Sequence, residues 1–229
     1  MVVGAARALG EPAASLPGVT WETAAALGTA LGTLVLAFAT FASVRYGNRS
    51  ARAAERSLLA GLRPLLVASR PQDLEQKVGF VDNHFVHLPG AQGTAEVTDE
   101  AVYLTLSLRN VGPGVAVLDG WYVHPERLAG ADQGPVDVSR FHRLTRDIYI
   151  ASGDVGFWQG ALREPDSEEY RSLSEVIRER RSLTIDLLYG DFEGGQRVIS
   201  RYALMPRDDD GWYASNARHW NLDRADPRS

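Results

Sequence analysis

The chain has 229 residues, no cysteine, 24 basic and 29 acidic residues, and a formal net charge of −5. Without cysteine it has no disulfide, no thiolate metal site and no cysteine nucleophile. Residues 45–70 carry six arginines and one glutamate, residues 1–44 carry a net −1, and residues 71–229 therefore carry −9. Such an acidic region is not expected to bind nucleic acid, because it would repel the phosphates.

The N-terminal region predicts one transmembrane helix. Residues 23–44 form a run of 22 residues without a charge, and as a helix such a run spans about 33 Å, enough to cross the apolar core of a bilayer. Trp21 and Tyr46 flank the run, where interfacial aromatic residues are expected. Residues 1–22 contain several glycines and prolines and are predicted to form a disordered tail.

A cleaved signal peptide is the alternative interpretation of this run. Ala37, Phe38 and Ala39 offer an A-x-A cleavage site, and cleavage there would release a secreted β-sandwich protein. A signal peptide, however, has a basic segment directly before its apolar stretch, whereas Glu22 stands at that place in this chain. The residues therefore favour a membrane anchor.

Arginines directly after the run predict the topology. The first four are Arg45, Arg49, Arg52 and Arg56. Positively charged residues next to a transmembrane helix stay on the cytoplasmic side of the membrane. We therefore expect a single-pass protein of the cytoplasmic (inner) membrane, with its N-terminus outside and its C-terminal domain in the cytoplasm.

The same four arginines, together with Arg63, predict an amphipathic stalk over residues 45–70. At 100° per residue their spacing places them on one face of a helix. The helix is expected to end near Leu62, because the residue before Pro64 avoids the helical region. We expect this face to contact anionic lipid headgroups. The alternative is a topology signal whose arginines simply face water.

Small residues inside the transmembrane run suggest a dimer. Gly28 and Gly32 form a G-x-x-x-G motif, and Ala24 lies one turn earlier on the same face. Such a face lets two helices approach closely in a bilayer. The alternative is chance, since the segment is rich in alanine and glycine. A homodimer through this helix is thus one hypothesis.

Residues 71–216 predict a mainly β domain, and residues 217–229 a C-terminal tail. Strands are predicted at 102–108, 115–123, 183–189 and 197–205, with weaker candidates at 79–88, 147–150, 155–158 and 211–214. A single helix is expected to begin after Asp166, which can cap it, and to have Arg178, Arg180 and Arg181 at its C-terminal end. Short strands, glycine-rich turns and one inserted helix predict an immunoglobulin-like β-sandwich.

Alternation within two of these strands predicts their buried face. Leu104 and Leu106 in one strand, and Ile185 and Leu187 in another, are expected to be core residues. The residues between them, such as Thr105, are expected on a solvent-exposed outer face, and Thr184 is placed there for the same reason.

One stretch carries a family resemblance. Residues 102–123, VYLTLSLRNVGPGVAVLDGWYV, resemble the strand-turn-strand of bacterial immunoglobulin-like domains of the CARDB kind, in which Asn-x-Gly precedes a small residue such as Ala116. The layout as a whole is similar to bacterial membrane proteins with one span, an arginine-rich stalk and a small β domain. The resemblance implies an interaction or structural module and assigns no catalytic residue. The predicted cytoplasmic side departs from extracellular members and speaks against adhesion.

The sequence offers little pattern for catalysis or metal binding. His84 and His87 are separated by two residues, but the surrounding apolar residues predict a strand, where this spacing points them to opposite faces. Residues 208–210 are three aspartates before a glycine, without the spacing of a calcium loop. No phosphate-binding loop or hydrolase motif occurs. We therefore expect no cofactor, no metal and no catalytic residue.

The remaining pattern favours a binding module. Turn backbone and aromatic side chains around Asn110, Phe192 and Trp212 are predicted to contact an unidentified protein or small-molecule partner. The alternative is a membrane-tethered enzyme with an unrecognised site among the aromatic and acidic loops. The bilayer itself is the other expected partner.

Overall fold

A computed structural model describes residues 20–128 and 134–225, apart from the side chains of Arg56, Leu59 and Ala60. The chain divides into two compact units, Met1–Glu55 and Arg56–Ser229. Residues 1–19 of the predicted disordered tail lie outside the described residues. Residues 226–229 of the predicted C-terminal tail also lie outside them.

From Trp21 onward, the described residues of the first unit belong to one long helix, α1 (Trp21–Ala60), whose last five residues are assigned to the second unit. Alanine and leucine, which favour helices, dominate its first half. The hydroxyls of Thr29, Thr33 and Thr40 each donate to the carbonyl four residues earlier, at 2.8–2.9 Å. These polar groups are thus satisfied within the helix, as an apolar environment requires. By length and composition, Trp21–Glu55 can cross a membrane.

The second unit is mainly β, as predicted. Its eleven described strands and single α-helix follow in this order: β1 (Leu66–Ala68), β2 (Gln76–Gly79), β3 (Phe85–Leu88), β4 (Gln92–Val97), β5 (Val102–Asn110), β6 (Ala116–His124), β7 (His142–Ile150), β8 (Val155–Leu162), α2 (Glu168–Arg178), β9 (Leu183–Gly190), β10 (Val198–Pro206) and β11 (Trp212–Asn221). A short 3-10 helix, Val138–Arg140, precedes β7.

Nine of these strands form one curled antiparallel sheet. The order is β1-β5-β4-β11-β10-β9-β6-β7, and β8 pairs with β5. Along one edge of β5, β4 pairs with its first part and β1 with its end. β8 pairs with nearly the whole length of β5 and therefore lies along the other edge. The strands β7 and β8 are therefore the two ends of the sheet. The other two strands, β2 and β3, form a separate hairpin.

The concave face of the sheet holds the main core. Leu104 and Leu106 of β5, and Ile185 and Leu187 of β9, are fully buried in one cluster, as the alternation predicted. Apolar residues of α2 join the same cluster. The inward faces of strands from both halves of the curled sheet therefore share one core.

The outer face of the sheet is covered as well. Thr105 and Thr184 are buried, so the prediction of a solvent-exposed outer face is wrong at these positions. The β2–β3 hairpin lies over β5 and β8, where Gln76 of β2 donates to the carbonyl of Gly156 at 3.0 Å. The segment after β6 reaches back over β9, and the Leu128 amide donates to Thr184 Oγ1 at 2.9 Å.

The strand connectivity does not confirm an immunoglobulin-like sandwich. Such a fold packs two separate sheets face to face, whereas here the nine strands belong to one continuous hydrogen-bonded sheet. The inserted helix is confirmed as α2, but its N-cap is Ser167 and not the predicted Asp166. Ser167 Oγ accepts from the Tyr170 amide at 3.1 Å.

The predicted stalk is helical only as far as Ala60. Leu66–Ala68, within the segment predicted as stalk, instead forms β1 and pairs with the end of β5. Proline at position 64 disfavours helix in the residue before it, and Leu66 gains complete burial by joining the sheet. At the other end, β11 continues to Asn221, so the first residues of the predicted C-terminal tail are part of the sheet.

Candidate functional site

The predicted partner surface is not available at Asn110. This side chain is fully buried and makes four hydrogen bonds. Its amide nitrogen donates to the carbonyls of Gly114 (2.6 Å) and Ile150 (3.0 Å), and its oxygen accepts from the amides of Leu65 (3.2 Å) and Gly112 (3.0 Å). With both ends of the amide engaged, Asn110 organises the turn after β5 and holds the chain before β1.

The structure also separates the other two predicted contacts. Trp212 is buried in the main core, and the guanidinium of Arg180 lies over its ring, 5.0 Å from the centroid. Phe192 is exposed in the turn between β9 and β10. The three predicted residues therefore do not form one surface, and Phe192 alone is open to a partner.

The turn after β5 instead packs closely against residues 62–65, the segment that precedes β1. A Cβ at Gly114 would lie 1.7 Å from the carbonyl oxygen of Leu62, so only glycine permits this approach. Further along, the Leu66 amide donates to Tyr189 Oη at 3.0 Å, and Tyr202 Oη donates to the Leu66 carbonyl at 2.8 Å. Burial raises the pKa of Tyr189 to about 12, so its hydroxyl stays protonated.

The predicted membrane-contact arginines lie along one side of α1. Arg45, Arg49 and Arg52 line one shallow depression of the helix surface together with Phe41 and Val44, and all are exposed. The side chain of Arg56 lies outside the described residues. Gly28 and Gly32 have an open surface, because a Cβ at either would meet no atom within 4 Å.

The largest cleft of the second unit among those described has a volume of about 550 Å³ and lies between the β6–β7 pair and α2. We call it the His142 cleft. Its polar lining consists of Tyr122, Arg140, His142, Glu168, Glu169 and Ser172. Val123, Pro125 and Leu173 supply its apolar wall.

His142 is held in place from two sides. Its Nε2 lies 3.0 Å from both carboxylate oxygens of Glu169, and its ring stacks on Trp121 with centroids 4.5 Å apart. The hydrogen bond to Glu169 raises the pKa of His142, although partial burial opposes this. The Glu169 carboxylate thus stabilises the charged form of the imidazole relative to a histidine without this partner.

Arg140 is also fixed at the cleft. Its guanidinium donates to the hydroxyl of Tyr122 and lies over the Tyr122 ring, 4.7 Å from the centroid. With His142 protonated, the cleft carries two positive charges and two negative ones, the latter from Glu168 and Glu169. The lining is thus close to neutral while offering both donors and acceptors.

A buried ion pair lies on the outer face of the sheet nearby. Arg201 Nε and one terminal nitrogen each donate to Asp186 at 2.7 Å, and both side chains are almost fully buried. His124 Nε2 is 3.4 Å from the same carboxylate. Burial alone would raise the pKa of Asp186, but the hydrogen bonds from Arg201 and His124 outweigh it and lower the pKa. This group is structural, because a ligand has no access to it.

A serine and a histidine also meet, at Ser200 and His219. Ser200 Oγ lies 2.5 Å from His219 Nδ1 and 2.7 Å from Tyr189 Oη. Because Ser200 is fully buried, its hydroxyl cannot reach a substrate and serves the network that holds Leu66.

The histidines considered in the sequence as metal ligands have separate carboxylate partners. His84 Nε2 is 2.9 Å from Glu96, and His87 Nδ1 is 2.6 Å from Glu75. Within residues 20–128 and 134–225, no group of three or more His, Cys, Asp or Glu side chains is placed to hold a metal ion. The aspartates at 208–210 lie in the turn between β10 and β11.

Sequence reasoning missed the His142 cleft. His142 and Glu169 are 27 positions apart, and neither belongs to a motif. The only local signal is the pair of glutamates at the start of α2, which also suits an ordinary helix N-terminus.

Comparisons with known proteins give no family assignment. No protein-family model matches the chain, and no curated protein matches it significantly. Among solved structures, a β-glucosidase from Kluyveromyces marxianus is similar over 56% of this chain and 14% of the glucosidase, at 12% identity and a TM-score of 0.21. A likeness this weak supports no conclusion about fold or activity.

Proposed function

We propose that the protein is a membrane-tethered binding module of the cytoplasmic membrane. In this proposal α1 crosses the bilayer once, and the β domain lies in the cytoplasm. The arginines that follow the uncharged run support this orientation, since positive residues stay inside. Tethering raises the effective concentration of the domain toward partners at the same membrane.

The observation that carries the binding role is the His142 cleft. With His142 protonated, its positive and negative charges are equal in number; His142 pairs with Glu169, and Arg140 is hydrogen-bonded to the neutral Tyr122 hydroxyl. A lining without net charge favours a neutral or zwitterionic polar ligand over a strongly charged one. We therefore assign the cleft to a small molecule with both hydrogen-bond donors and acceptors.

The resemblance of residues 102–123 to immunoglobulin-like domains fits the same proposal. β5 and β6 are consecutive in the chain but do not pair; each contributes to the main core from a different part of the curled sheet. A connection that crosses a core in this way is typical of sandwich folds. We infer that the domain is related to such modules in scaffold and serves binding, not turnover.

The experiment is a thermal-shift titration of the full-length protein in detergent. The compounds are amino acids as zwitterions, glucose as a neutral polyol, succinate as an anion and spermidine as a cation. We expect a zwitterionic or neutral compound to raise the melting temperature, and succinate and spermidine to have no effect.

Two variants make the test specific to the cleft. His142→Ala should abolish the shift, whereas Arg178→Ala, an exposed position at the far end of α2, should retain it. The proposal fails if no compound produces a shift, or if His142→Ala responds like the unaltered protein.

A further inference from the structure

The two ends of the curled sheet form an open seam. Among the described strands β7 pairs only with β6, and β8 pairs only with β5. Residues 151–154 join the two strands in a tight turn. Next to this turn the strands are close, because a Cβ at Gly156 would lie 2.7 Å from Ile150 Cγ1.

Away from the turn, β7 bends out of line. Leu118 of β6 pairs with Ile148, and Gly120 pairs with Arg143, so four residues of β7 (144–147) stand opposite Asp119 alone. Such a bulge disrupts pairing and bends the strand. A cavity of about 260 Å³ lies at this place, bounded by β7 on one side, β8 on the other and Trp121 of β6.

The lining of the seam is positively charged. Arg143, Arg146 and Arg163 line the cavity, and its lining includes no acidic residue. Arg163 is paired with Asp82 outside the lining, at 3.2 Å. Arg143 and Arg146 are exposed, and Arg143 also lines the adjoining cavity together with Asp119 and Asp147. In a region that carries a net −9 over residues 71–229, this is a local reversal of sign and fits an acidic partner.

The backbone of the seam can recognise an extended chain. Edge strands present unpaired N–H and C=O groups that can pair with an added strand. The side-chain oxygen of Gln159, which also lines the cavity, is buried without a hydrogen-bond partner among the described residues and can accept a further bond. We propose that the seam between β7 and β8 is a docking site for an acidic segment of extended polypeptide from a partner protein.

This site is independent of the ligand proposed for the His142 cleft, because its groups are the strand edges and the three arginines. Binding would add the partner segment as a strand beside β7 or β8 and place its carboxylates against Arg143 and Arg146. A small anion could use the arginines but not the strand edges.

The test selects peptides from a random 12-residue display library against the full-length protein in nanodiscs of phosphatidylcholine, a lipid without net charge. We expect enrichment of acidic, proline-free sequences rich in β-branched residues. The best peptide should lose at least tenfold in affinity toward the double variant Arg143→Glu/Arg146→Glu. Arg178→Glu, an exposed arginine outside the seam, should bind it as the unaltered protein does.

Two further measurements separate a strand-like mode from plain charge attraction. Bound peptide should slow hydrogen exchange of amides in β7 or β8, and a proline at the centre of the peptide should abolish binding. The proposal is wrong if selection yields no peptide that depends on these arginines, if the proline peptide binds equally well, or if inorganic phosphate at similar concentration displaces the peptide.

Discussion

Replacing the buried carboxylate of Asp186 should be among the most damaging single changes in the β domain. Asp186 is completely buried and accepts two 2.7 Å hydrogen bonds from Arg201. The side chain of Arg201 is itself only 3% exposed. In Asp186→Asn the amide cannot neutralise the guanidinium, which stays in a poorly solvated site. Removing one partner of a buried pair costs about 3–5 kcal/mol in the free energy of unfolding.

The cost should be visible in both melting and urea unfolding. For a domain of this size, about 3–5 kcal/mol corresponds to a fall of roughly 6–20 °C in melting temperature. Tryptophan fluorescence of the detergent-solubilised protein reports the transition, because Trp220 lies 4.8 Å from the guanidinium of Arg201. Glu179→Gln is the control: its pair with Arg181 is more than half exposed on both sides and contributes only about 0–1 kcal/mol.

A double variant tests the physical cause. If the damage comes from an uncompensated buried charge, Asp186→Leu/Arg201→Met should be more stable than Asp186→Asn, because both charges are then gone. The pH dependence follows from the lowered pKa of Asp186. Its contribution is complete above the ordinary carboxyl pKa of 3.8 and is lost as the pH falls through the lower folded value. An Asp186→Asn variant within 1 kcal/mol of the unaltered protein would refute this reasoning.

Four other predictions concern the turn, the cleft and the anchor. Gly114→Ala should destabilise the domain by about 3 kcal/mol, since the new Cβ would overlap the Leu62 carbonyl, whereas Gly134→Ala, with no atom within 4 Å, should have little effect in the same urea titration. Glu169→Gln should bring the pKa of His142 down toward its ordinary 6.5, measured by NMR; the His142 contribution to stability is complete below pH 6.5 and is lost as the pH rises through the higher folded value. Gly28→Ile/Gly32→Ile should lower self-association in a membrane two-hybrid assay, and an unchanged signal would assign the motif to chance. A C-terminal green fluorescent protein fusion should fluoresce and an alkaline phosphatase fusion should be inactive; the reverse would place the domain outside.

The sequence alone determined the features that depend on neighbours along the chain. An uncharged run of 22 residues predicts a helix long enough for a membrane, and the structure has α1 there. Alternation places Leu104 and Ile185 on a buried face, and both are in the main core. These inferences hold because helix and strand periodicity is local, and burial of the apolar face follows from it.

The tertiary structure decided what packs on each face and which distant residues meet. The alternation in β5 predicts that Thr105 points outward to solvent, yet Thr105 is buried. Periodicity does not reveal that the β2–β3 hairpin covers this outer face. Asn110 lies in a sequence typical of an exposed turn, but its side chain is buried, and its four hydrogen bonds go to the turn itself, to the end of β7 and to the chain before β1. His142 and Glu169 meet across 27 positions only because the fold brings the start of α2 near the start of β7. The open seam likewise depends on how far the sheet curls and where β7 bulges, and neither leaves a mark in local sequence.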